Sequence, residues 1–128
     1  MEPITLAFWI AFPVTLVLLG CALVTGLTRR RRLHLKLGPL ALLSLLVAIV
    51  LAVEMGRMRV FPEAEMRIHR VIALIASSLA IAVAITGLWL IKNPRVRRLH
   101  KVCVLFFLCA AVVASGTGIW VFTLSTPR

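Results

Sequence analysis

The sequence predicts an all-α membrane protein: a four-transmembrane-helix up-down bundle with both termini outside (N-out/C-out). Three observations predict it. Four runs carry no charged residue, namely Ile4–Thr28, Leu37–Val53, Val71–Ile91 and Val102–Pro127. Each is close to the roughly 17–25 residues that cross a bilayer as a helix. The hydrophobic share of 62% and the mean hydropathy of +1.07 exceed the roughly 45–50% apolar content of a soluble domain. The charges, finally, lie in short clusters between the runs. A bilayer offers no water to unpaired backbone groups, so the runs must be helices.

Taken in order, the spans are about 4–28, 37–55, 71–91 and 102–124, and together they make residues 1–128 a single membrane domain. The first run lacks the basic start of a secretory signal, since Glu2 is the only charge before Arg29. It is long and is followed by an arginine block, so it reads as a retained helix. The second run holds Gly38 and Pro39 at its start, and Pro39 suits a first helical turn, where its missing N–H costs nothing. Connections of roughly 8–15 residues make sequence neighbours antiparallel.

The charge of +11 comes from 15 Lys and Arg against 4 acids. Arg29–Arg32 and Lys36 lie between the first two spans, and Lys92, Arg95, Arg97, Arg98 and Lys101 between the last two. These two loops hold ten basic residues and no acid. The other end carries Arg57, Arg59, Arg67, Arg70 and Arg128 against four Glu, a balance of +1. Lys and Arg in short loops mark the cytoplasmic side. The expected location is therefore a bacterial inner (cytoplasmic) membrane. DNA or RNA binding would need a water-exposed basic surface, whereas these residues sit beside lipid, where anionic headgroups are the nearer partner. Nucleic acid is excluded as a partner.

The third and fourth spans share a pattern. His69-Arg70-Val71 leads to Thr86-Gly87-Leu88-Trp89, and His100-Lys101-Val102 leads to Thr117-Gly118-Ile119-Trp120, with His to Thr separated by 17 residues in both. The two spans run in opposite directions, so they read as an inverted repeat. Thr25-Gly26-Leu27 is a fainter echo that lacks the His.

His34 and His100 open the second and fourth spans on the basic side, and His69 opens the third on the other. Imidazole is a good iron ligand, and a heme needs two axial ligands and small residues where the ring lies flat. His34 and His100 are the expected axial pair of one heme b on the cytoplasmic side. Gly38 would leave room for the ring, and Arg31 and Arg98 would balance the propionates. His69 heads a stripe of small residues, Ala73, Ala76, Ala80, Ala84 and Gly87. It is a second candidate ligand, with Met55, Met58 or Met66 as thioether partners; copper is the alternative metal. The bland readings stand beside these. Histidines at a membrane edge often only snorkel toward headgroups, and small stripes let membrane helices approach closely without any cofactor. Glu54 reads as the ion-pair partner of Arg57, three residues on. Cys21, Cys103 and Cys109 read as small apolar fillers.

The His-to-Thr-Gly spacing resembles that of bacterial b-type cytochrome membrane subunits. Residues 33–122 resemble more closely a bacterial four-helix membrane family linked to terminal (cytochrome c) oxidase maturation. The likeness rests on His34, on His69 and the basic loop with His100-Lys101, and on the ending Ser115-Gly116-Thr117-Gly118-Ile119-Trp120. That family places another His near the end of its second helix, where this chain has Glu54 and Met55. The resemblance implies a heme- or metal-handling assembly factor for a terminal oxidase. The residues themselves favour a membrane b-type cytochrome, carrying electrons between a quinone and a partner protein in a respiratory or photosynthetic chain. An accessory structural subunit, embedded in lipid beside other membrane subunits, is the remaining class. No P-loop, HExxH or nucleophile–base pairing supports an autonomous enzyme.

Overall fold

The computed structural model describes residues 2–128 and is all-α. Four long helices, α1 (Pro3–Leu27), α2 (Arg31–Arg57), α3 (Glu63–Lys92) and α4 (Arg97–Thr123), are each long and apolar enough to cross a membrane. A 3-10 turn (Pro94–Val96) leads from α3 into α4, and two-residue strands, β1 (Arg59–Val60) and β2 (Thr126–Pro127), pair with each other. The chain is an integral membrane protein. It divides into two compact units, Met1–Arg59 and Val60–Arg128. Each is an antiparallel helical hairpin.

The helices outrun the charge-free segments. The second begins at Arg31 rather than near Leu37, the third at Glu63 rather than Val71, and the fourth at Arg97 rather than Val102. Arg, Lys, Glu and Met are strong helix formers, so the chain stays helical after it leaves the apolar run. Two consequences follow. The three histidines lie inside helices, about one turn from the start of α2 and α4 and two turns from the start of α3. Pro39 also lies inside α2 rather than in its first turn, where it leaves the Leu35 carbonyl without its usual N–H partner.

In the first unit α1 packs on α2. Buried Thr5, Thr15, Ala22 and Thr25 of α1 face buried Ala41, Ala48 and Met55 of α2. Small residues let the two backbones approach, the usual solution where lipid is as apolar as the core. The Thr15 hydroxyl lies 2.9 Å from the Ala11 carbonyl of its own helix and shares a hydrogen bond with the Ser44 hydroxyl across the interface at 2.7 Å. Ser44→Ala is expected to loosen this hairpin by about 0.6 kcal/mol, the typical worth of an interhelical hydrogen bond in a membrane, read as unfolding free energy in bicelles.

The link between α1 and α2 is only Thr28, Arg29 and Arg30. Arg29 has φ of 58°, the left-handed conformation that normally goes to glycine at a helix end. The backbone N–H groups of Thr28, Arg29 and Arg30 return to the carbonyls of Val24, Gly26 and Thr25, closing the helix end. Glu54 and Arg57 form the expected ion pair at 2.7 Å.

In the second unit α3 packs on α4. The buried residues of α3 are Ala76, Ala80 and Thr86, part of the small-residue stripe, and those of α4 are Phe107 and Val121. The stripe is thus used, at least in part, for helix contact. Outside these seams the helices present apolar side chains, among them Leu74 at 69% and Val112 at 72% exposure, as a lipid-facing surface requires. Glu63 and Glu65 lie in the first turn of α3 and Lys92 in its last, each matched to the helix dipole. Arg31 and Arg32 in α2, and Arg97 and Arg98 in α4, oppose the dipole. That costs about 0.3–1 kcal/mol each.

Candidate functional site

Each of the three histidines bonds the neighbouring helix through Nδ1 beside a glycine of that helix. In the second unit His69, near the start of α3, meets Thr117 and Gly118 near the end of α4. Its Nδ1 is 3.0 Å from Thr117 Oγ1. His100, near the start of α4, meets Thr86 and Gly87 near the end of α3, with Nδ1 again 3.0 Å from Oγ1. In the first unit His34 of α2 meets the end of α1, where Nδ1–H donates to the Ala22 carbonyl at 2.8 Å. Thr25 Oγ1 bonds the Cys21 and Ala22 carbonyls at 2.8 and 3.0 Å.

The hydrogen-bond chemistry assigns the tautomer of His34. A carbonyl only accepts, so His34 must carry its proton on Nδ1. Thr86 has one hydroxyl hydrogen, with the carbonyls of Ala82 (2.8 Å) and Val83 (3.2 Å) of its own helix in reach. Thr117 likewise has the carbonyls of Val113 (2.9 Å) and Ala114 (3.1 Å) in reach. With that hydrogen on the carbonyls the hydroxyls accept from Nδ1–H of His69 and His100; with it turned to the ring, the same 3.0 Å distances fit Nδ1 as acceptor. Where Nδ1–H donates, the lone pair of the neutral ring is on Nε2.

The glycines make room for these rings. A β-carbon at Gly26 would lie 3.1 Å from His34 Cε1, at Gly87 3.3 Å from His100 Cε1, and at Gly118 3.1 Å from His69 Cε1. Such contacts are tighter than side chains normally accept. By contrast a β-carbon at Gly20, Gly38, Gly56 or Gly116 would meet nothing within 4 Å. At Thr117-Gly118 and Thr86-Gly87 the Thr supplies the hydrogen-bond partner and the Gly the clearance, so each pair works as one socket for an imidazole; at His34 the partner is the Ala22 carbonyl. Thr117→Val keeps the volume and removes the hydrogen-bond partner. It is expected to cost the second hairpin about 1 kcal/mol, measured as unfolding free energy in bicelles, with Thr123→Val, whose hydroxyl bonds only the carbonyl of Trp120 in its own helix, as the neutral reference.

Of the residues singled out in the sequence, His34, Arg31 and Gly38 belong to the first unit and His69, His100 and Arg98 to the second. Arg31 is exposed one turn before His34, Gly38 lies one turn after it beside open space, and Arg98 is exposed two residues before His100. His69 and His100 do not come together. His100 binds Thr86, which is 17 residues along α3 from His69, or about 25 Å at 1.5 Å per residue. Met55 is buried in the first unit, while His69 and Met66 lie in the second. Among the described residues no three His, Cys, Asp or Glu side chains gather as a metal-binding group. All three cysteines are free thiols.

Thr86 and Thr117 are the partners of His100 and His69, and the Ala22 carbonyl is that of His34, pairings that the residue pattern alone does not show. The signal was distance from the loop. His69 and Gly118 are equally far from the Asn93–Pro94 loop centre, as are His100 and Gly87, and His34 and Gly26 are equally far from Arg30. In an antiparallel hairpin such residues face each other. No family model, curated protein or solved structure matches the chain.

Proposed function

We propose that the chain is a small b-type cytochrome of a bacterial inner membrane, serving electron transfer in a respiratory or photosynthetic chain, with His34 and His100 as iron ligands. One observation carries the reading. Each imidazole has its Nδ1 held by a polar group on the neighbouring helix, the Ala22 carbonyl for His34 and the Thr86 hydroxyl for His100, and with Nδ1–H donating the lone pair falls on Nε2. Iron-ligating histidines are held in this way: the second-shell acceptor fixes tautomer and ring orientation and raises the basicity of the ligating nitrogen. Bound heme would supply one-electron chemistry. The chain's own part is to hold the two rings, to place the positive charges of Arg31 and Arg98 beside them for the propionates, and to leave Gly38 bare. A quinone and a partner membrane protein are the expected exchange partners.

The test is the reduced-minus-oxidised absorption spectrum of protein purified after heme-replete expression. Soret and α bands are expected, and their absence would overturn the cytochrome reading. A second reading has an observation of its own. The histidine sockets join helix to helix within each hairpin, a packing role that suits an accessory subunit of a larger membrane complex. Copurification with such a complex, without heme, would favour it. Stoichiometric copper in place of heme would favour the oxidase assembly factor.

A further inference from the structure

We infer that the loop end of the first hairpin is a binding surface for anionic phospholipid, with the lipid phosphates held by Arg29, Arg30, Arg31, Arg32 and Lys36. All five are exposed, and they fall within eight residues. The hairpin supplies no counter-charge there. Its acids are Glu2, before α1, and Glu54, in the last turn of α2. Both belong to the opposite end, and Glu54 is already paired with Arg57 at 2.7 Å. The three-residue link crowds the four arginines into one tight turn, with Arg29 held in a left-handed conformation. The charge is therefore open to an external anion.

The chemistry of the patch identifies the anion. Cationic side chains attract phosphate by charge and donate charge-assisted hydrogen bonds to its oxygens. The arginines stand where two apolar helices end, and exposed Val24, Leu27, Leu33 and Leu35 flank them. A ligand seated here meets cations at one level and hydrocarbon at the next, which is the profile of a diacyl phospholipid and not of a free phosphate. The charge density favours an anionic headgroup over a zwitterionic one, whose own ammonium would meet the same arginines. The inference is independent of heme, and its test reads lipid alone.

Full-length protein in detergent is titrated with dioleoylphosphatidylglycerol or dioleoylphosphatidylcholine, and bound lipid is counted by native mass spectrometry. The wild type is expected to hold phosphatidylglycerol about tenfold more tightly, in keeping with several basic residues acting at one surface. The triple variant Arg29→Gln, Arg30→Gln, Arg32→Gln is expected to lose most of that preference, and the same positions changed to Lys to keep it. Arg67→Gln with Arg70→Gln, at the other end of the second hairpin, is expected to change nothing. Equal retention of the two lipids by the wild type would overturn the proposal. So would an undiminished preference in the Gln variant, or loss in the Lys variant as well, which would show that charge is not the cause. Displacement of the lipid by millimolar inorganic phosphate would make the site one for free anions, also against the proposal.

Discussion

Replacing His34 or His100 with alanine is expected to remove the heme Soret band of the purified protein to baseline, while His69→Ala keeps it. The comparison is informative because His69 and His100 are alike in structure. His69 has the same Nδ1 bond of 3.0 Å and the same glycine contact as His100. Its loss therefore damages the hairpin about as much. If folding alone governed the spectrum, the His69 and His100 variants would behave alike. A split between them isolates ligation. Loss only in the His69 variant would refute the assignment. Thr86→Val adds a graded arm, since it keeps the His100 ring but removes the hydroxyl that holds Nδ1. Outer-shell changes of this kind typically cost about 10–100-fold in metal affinity, so a weaker but present band is expected.

The second large effect concerns two glycines in one turn of α4. Gly118→Val is expected to destabilise the second hairpin by about 2 kcal/mol, in the usual range for overpacking. The His69 ring cannot retreat from the new side chain, because its bond to Thr117, the adjacent residue, ties it down. Gly116→Val, two residues earlier and facing open space, is expected to stay within about 0.5 kcal/mol. Unfolding free energies in bicelles decide the matter. Equal effects at the two positions would mean that Gly118 is not a socket. Gly87→Val should resemble Gly118→Val, because its β-carbon would meet His100 Cε1 at 3.3 Å.

Much of the architecture was legible in the sequence because lipid leaves few choices. A charge-free run of bilayer length must be a helix, so the four helices and their order followed from Ile4–Thr28 and its three counterparts. The helix starts were not legible. Arg31–Lys36 and Glu63–Arg70 are polar enough to read as loop, yet they continue the helices, and Pro39 falls inside α2 as a result. The Glu54–Arg57 pair was legible because three residues along one helix fixes a distance without any tertiary knowledge.

The site was legible only by halves. The shared spacing of His and Thr-Gly was visible, but it was visible as two copies of one pattern. That each His seats on the Thr-Gly of the other helix requires the antiparallel register, and the register depends on where the turn is centred. The small stripe below His69 was open to two readings, and the burial of Ala76 and Ala80 against α4 shows one of them in use. Heme leaves no mark in spacing that a helix-packing socket would not also leave. Thr, Gly and His serve both purposes by the same geometry, and both rest on where the ring protons sit.

The most direct measurement is therefore of the protons themselves. Nitrogen-15 spectra of heme-free protein with labelled histidine, taken at a pH where the rings are neutral, distinguish the two tautomers. The account predicts protonated Nδ1 and lone-pair Nε2 for His34, His69 and His100. Nε2-protonated rings would make Nδ1 an acceptor, which would contradict the sockets and remove the support they give to iron ligation.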